Sequence, residues 1–265
     1  MKQRILTALI ALPLLILFVY FASPALFKGL ICLISALALH EFYAMALPKR
    51  RRPEASIATA LGVVMVVGLV FSESPTVKLA ALSGTIIILL LLFLARVQEM
   101  SEVARDLSVA ILGIVYIPLL LSYAGILRDA PHGREWIFLV LLIVMSSDTL
   151  AYFVGLNWGR HRLYYVVSPN KSIEGALGGL LGACLGALIA RLSFFPELDG
   201  YDVLFLGLVM GGVSQLGDLV ESLFKRSFGV KDSGSIIPGH GGLLDRLDSL
   251  ILILPLAFYY AVWIF

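Results

Sequence analysis

Long apolar runs, broken by short clusters of charge, Pro and Gly, set the pattern of this chain. Nine runs can be read, at approximately 5–22, 25–47, 56–71, 77–95, 106–126, 136–156, 175–192, 202–222 and 246–265. A helix needs about 20 apolar residues to cross a bilayer, and the run at 56–71 is the shortest for that purpose. The connections are too short to hold a separate soluble domain. The pattern therefore predicts an all-α protein, a polytopic membrane helical bundle of about nine transmembrane helices. It divides into an N-terminal region of approximately five spans, residues 1–130, and a C-terminal region of approximately four, residues 131–265. Lys2 and Arg4 precede the first run as in a secretory signal, but Tyr20-Phe21-Ala22-Ser23 lacks a small-residue cleavage pattern. The run reads as a retained helix.

Composition agrees with this reading. Of 265 residues, 60% are apolar and 14% charged, against about 45–50% and about 25% in soluble domains. A disordered chain and an ordinary soluble enzyme are both excluded. A net charge of +2 gives no case for nucleic acid. Cys32 and Cys184 lie in apolar runs without partners at metal-ligand spacing, so both read as packing residues. The basic residues set the orientation. With the N-terminus cytoplasmic, fifteen of the twenty Lys and Arg fall on the inner side and five on the outer. Lys49-Arg50-Arg51-Arg52 dominates that asymmetry.

Polar residues inside the spans each need a reason, because ionisable groups are costly in lipid. His40 and Glu41 read equally as a buried polar pair and as functional groups. Asp148 lies deep in the sixth run, where it can complete a polar site or hydrogen-bond a neighbouring helix. Gly178, Gly182 and Gly186 recur four apart and predict close helix–helix packing rather than a ligand channel. Asp218, Asp245 and Asp248 are brought by the topology to one membrane face, and Asp245 and Asp248 share a helix face if the helix begins just before them. Collected carboxylates suit a hard cation such as Mg²⁺. Salt bridges to Lys225, Arg226 or Arg246 are the alternative.

The loop between the last two runs carries Lys225, Arg226, Lys231 and Arg246, all able to neutralise phosphate oxygens. Pro238-Gly239-His240-Gly241-Gly242 precedes a helix, and its glycines let backbone N–H groups approach an anion. It is neither a Walker loop nor a dinucleotide fingerprint, and a basic flexible loop is the plainer reading. Ser168-Pro169-Asn170-Lys171-Ser172-Ile173-Glu174-Gly175 opens the seventh helix on the same face. There Ser172 can cap the helix, and Lys171 can serve a phosphate or an interface.

The stretch from Ser222 to Asp248 resembles the signature of the phosphatidate cytidylyltransferases, the CDP-diacylglycerol synthases. The matching residues are Ser222, Lys225, Arg226, Lys231, Asp232, Gly234, His240, Gly241, Gly242, Asp245, Arg246 and Asp248. Gln215 to Asp218 with Glu221, and Ser168 to Lys171 with Glu174, are similar to further family segments. The resemblance implies transfer of CMP from CTP to phosphatidic acid, with Mg²⁺ required and a monovalent cation such as K⁺ as a further option. It places metal ligands at Asp218 and Asp245, with Asp248 as ligand or close support. On this reading Asp218, Asp245, Lys225 and Arg226 form the catalytic set. Lys171, Ser222, Lys231, His240, Gly241, Gly242 and Arg246 face the substrates, although a structural place in the turn suits His240 equally well.

The expected partners are CTP, phosphatidic acid and membrane lipids, with a homodimer as an option, and the expected location is the bacterial inner membrane. Three rivals remain at this stage. One is a CTP-dependent enzyme acting on another lipid phosphate or a polyprenol, and another is a scaffold. A secondary transporter would instead place its polar groups near the midplane, whereas here they gather at one end of the helices.

Overall fold

The computed structural model describes residues 13–234, 236 and 241–265. Lys2, Arg4, the start of the first run, and Pro238, Gly239 and His240 lie outside the described residues. Among those described, seven helices are long and apolar enough to cross a membrane. This is a multi-pass, all-α membrane protein. The chain forms two compact units, Met1–Ile126 with Asp232–Arg246, and Leu127–Lys231 with Leu247–Phe265.

The first unit contains α1 (helical over 13–21), α2 (Pro24–Ala46), α3 (Arg52–Phe71), α4 (Pro75–Ala95), α5 (Met100–Ile114) and α6 (Leu120–Leu127). Proline stands in the first turn of α2, α3 and α4, where its missing N–H leaves no further donor unsatisfied. Ser23 caps α2 by accepting the Leu26 N–H at 3.3 Å. A π-helical turn, Val115–Leu119, joins α5 to α6 around Pro118. Proline cannot donate to the helical ladder, and a widened turn accommodates that loss.

The third span is longer than its apolar run. With the 3₁₀ turn Lys49–Arg51 it covers Lys49–Phe71, 23 residues, so the basic block is helical rather than a loop. Arg51 is the cause. It is fully buried, and its Nε donates to Asp106 Oδ2 at 2.9 Å. Its Nη1 donates to the Arg96 carbonyl at 2.8 Å and to Glu54 Oε1 at 3.4 Å. The guanidinium also lies 5.0 Å from the Phe93 ring centroid. One arginine thus ties together the ends of α3, α4 and α5.

The second unit holds α7 (Gly133–Trp158), a hairpin of β1 (Arg162–Tyr164) and β2 (Ser168–Ser172), α8 (Ile173–Ser193), α9 (Gly200–Ser227), α10 (Asp248–Ile251) and α11 (Ile253–Trp263). The two strands are antiparallel, with Arg162 opposite Ser172 and Tyr164 opposite Ser168. The glycine face of α8 lies against α7. A Cβ on Gly178 would stand 2.6 Å from Val154 Cβ, and one on Gly182 would overlap the Ser146 carbonyl. One on Gly186 would reach 3.0 Å from the Leu142 carbonyl. Without side chains on that face the two backbones come into contact, which is how small residues bind helices together in lipid.

Candidate active site

Within the second unit, α10 packs on α9 and α7. The contact with α9 is close because position 217 is glycine: a Cβ there would stand 2.5 Å from the Asp248 carbonyl. Asp218, the next residue, is thereby brought to Asp248. The two carboxylates repel one another, Asp148 on α7 adds a weaker repulsion, and Lys225 attracts Asp248. Ser222, one turn beyond Asp218, donates its hydroxyl to Asp218 Oδ1 at 3.4 Å.

Lys171 arrives from β2. Its Nζ lies 2.5 Å from Asp218 Oδ2. The segment that presents it is held at both sides. Ser172 caps α8 by accepting the Gly175 N–H at 3.1 Å. Glu174 accepts the Arg160 N–H at 3.0 Å and pairs with His161 Nδ1 at 2.6 Å. Lys225 pairs with buried Glu221, one turn before it on α9. Arg226 is exposed and donates to the Val230 carbonyl at 3.2 Å, closing the end of α9. Lys231 is exposed.

The rest of the signature belongs to the first unit. Asp245 Oδ2 accepts three hydrogen bonds there: from the Ser233 N–H at 3.0 Å, the Ser233 hydroxyl at 3.0 Å and the Gly242 N–H at 2.8 Å. Gly241 has φ +86°, a left-handed backbone that favours glycine. The condition under which Asp245 and Asp248 share a helix face is not met. Leu244–Arg246 forms a 3₁₀ turn, and α10 begins at Asp248. The Gly242 N–H, expected to face an anion, donates to Asp245. Arg246 is exposed.

Among the described residues no three His, Cys, Asp or Glu side chains stand at metal-holding spacing. The carboxylate oxygens of Asp218, Asp248 and Asp148 still fit a hard cation, since like charges face one another, and Lys171 Nζ pairs with Asp218. Mg²⁺ takes only one or two carboxylates and keeps several waters.

Residues 2–265 match the model of the Cytidylyltransferase family. This chain belongs to that family. It is 36% identical over 264 residues to a phosphatidate cytidylyltransferase of Staphylococcus epidermidis. The corresponding proteins of Staphylococcus saprophyticus and Staphylococcus aureus are 35% identical over 267 residues and 36% over 268. Each alignment covers 97% of this chain and 97% of the relative.

The structure of this family member also shows what residue patterns leave open. Asp148 was legible as a buried-run acid able to complete a polar site, but that Asp248 is the acid it faces was not, because nothing local joins positions so far apart. Glu221 carried a usable signal: it stands four residues before Lys225, the spacing of a helical ion pair.

Proposed function

We propose that this family member transfers CMP from CTP to phosphatidic acid, giving CDP-diacylglycerol and pyrophosphate. The observation that carries the proposal is the end-to-end match to proteins named phosphatidate cytidylyltransferase. The polar cluster of Asp148, Lys171, Asp218, Lys225 and Asp248 supports it, because two polyanions can meet only where charge is neutralised. In the reaction a phosphatidate oxygen forms a bond to the α-phosphorus of CTP. The bond from that phosphorus to the bridging oxygen breaks, and pyrophosphate leaves with the electron pair. The nucleophile is already largely ionised near neutral pH, so no general base is required.

Lys171 and Lys225 orient phosphate oxygens and offset their charge. Asp218 and Asp248 would hold Mg²⁺, and Asp148 contributes to the field that draws it in. The resemblance adds Asp245, whose Oδ2 also orders the signature loop. When bound, Mg²⁺ supplies neutralisation of the charge growing on the leaving pyrophosphate. A panel of lipid phosphates tests the acceptor: phosphatidic acid should drive pyrophosphate release from CTP far faster than polyprenyl phosphates. Equal or faster release with a polyprenyl phosphate would reassign the enzyme to a different acceptor.

We further propose that the N-terminus and this cluster face the cytoplasm at the bacterial inner membrane, a reading that the asymmetry of basic residues supports. A cysteine at exposed Ser227, near the end of α9, should react with a membrane-impermeant maleimide only after the cells are opened. Reaction in intact cells would reverse the orientation.

A further inference from the structure

Glu41 on α2 is a buried acid that the transfer reaction, as set out above, does not use. It is 3% exposed, and a carboxylate buried in an apolar helix is costly unless it is hydrogen-bonded. Its Oε2 accepts the backbone N–H of Leu244 at 2.9 Å, 203 positions along the chain. An aliphatic side chain would suit the helix better but would leave that buried N–H without a partner.

The same carboxylate is cradled by two signature glycines. A Cβ on Gly234 would overlap Oε1 and stand 2.8 Å from Cδ of Glu41. A Cβ on Gly242 would overlap the Ser233 hydroxyl and stand 2.7 Å from Oε2 of Glu41 and 2.8 Å from the Gly234 nitrogen. Among the described residues, the only glycines with left-handed φ are Gly229 and Gly241. Space, not backbone freedom, therefore calls for glycine at 234 and 242. From its other side the loop is held by Asp245, which accepts from Ser233 and Gly242.

We infer that Glu41 is a positioning residue for the proposed CMP transfer, fixing the signature loop on α2 by its hydrogen bond to Leu244 and its fit against Gly234 and Gly242. Two acids pin the two ends of the loop, one from within it and one from a helix distant in sequence. The inference rests on the transferase reading for its effect on rate, but the pinning itself is independent of it.

The full chain, purified in detergent, supplies the test, with phosphatidate-dependent pyrophosphate release and backbone hydrogen exchange as paired readouts. Glu41→Ala should lower the rate about 100-fold, the scale on which small misplacements act, and Leu244 should exchange faster while distant helices do not. Glu41→Gln keeps an acceptor oxygen of the same reach and should restore most of the rate and the slow exchange. Gly234→Ala should reproduce the loss, yet add nothing further in a Glu41→Ala background, where the obstructing carboxylate is gone. Native rate with native Leu244 exchange in Glu41→Ala would overturn the inference, as would a Glu41→Gln enzyme as impaired as Glu41→Ala. If Glu41→Ala does not fold, Glu41→Gln and Gly234→Ala carry the same decision. A native protein inactive towards phosphatidate would sink the transferase reading alone, and exchange at Leu244 would still decide whether Glu41 pins the loop.

Discussion

Asp218→Asn should reduce Mg²⁺-dependent turnover of CTP by about 100- to 1,000-fold, the range seen when one preorganised electrostatic contact to the transition state is lost. The substitution preserves shape and removes charge. Asp218 is the acid that Lys171 meets at 2.5 Å and that the tight Gly217 contact brings to Asp248. Neutralising it removes half of the carboxylate pair proposed to hold Mg²⁺, and it releases Lys171 from its ion pair. The chain should still fold, because Asp218 is only half-buried. The Mg²⁺ concentration giving half-maximal rate should rise together with the fall in kcat. Near-native rate at native Mg²⁺ dependence would remove Asp218 from the reaction.

Arg51→Met should be the most destabilising single change in the first unit, by about 3–5 kcal/mol, as expected when one partner of a buried ion pair is removed. Asp106 is 3% exposed and Glu54 fully buried, so both would be left buried beside weaker partners. Arg50 reaches Asp106 at 3.6 Å, and Arg96 reaches Glu54 at 4.0 Å. Neither replaces the 2.9 Å bond from Arg51 Nε. The methionine would also forfeit the stacking over Phe93. Arg52→Met, at the exposed neighbouring position, should shift stability by no more than about 0.5 kcal/mol. Thermal inactivation in detergent compares the two. Equal midpoints for the two variants would mean that Arg51 serves only the orientation of the chain.

That arginine marks where a reading of residues in order runs out. Lys49-Arg50-Arg51-Arg52 looks like a uniform basic loop, because charge count carries no information about which member is buried. Arg51 differs through Glu54, Phe93, Arg96 and Asp106, three of which are brought to it by other helices. Spans were legible because apolar length is a local property, and the α8 glycine face was legible because four-residue spacing is one too. The hairpin of Arg162–Tyr164 and Ser168–Ser172 was not anticipated: strands this short carry little alternation. The fit of Glu41 against Gly234 and Gly242 was equally hidden, since α2 and the signature are separated by most of the chain. In the candidate site, residue types were legible and groupings only partly so. Asp218 and Asp248 come together as expected, whereas Asp245 is engaged by its own loop.

Dual labelling of CTP follows transfer of the nucleotide monophosphate to lipid. Purified protein would be given Mg²⁺, phosphatidic acid and CTP carrying one isotope at the α-phosphorus and another at the γ-phosphorus. CMP transfer puts α-label in the organic phase as CDP-diacylglycerol and γ-label in water as pyrophosphate, in equal amounts and only with phosphatidic acid present. Transfer of γ-label to lipid, or label that remains in CTP, would contradict it.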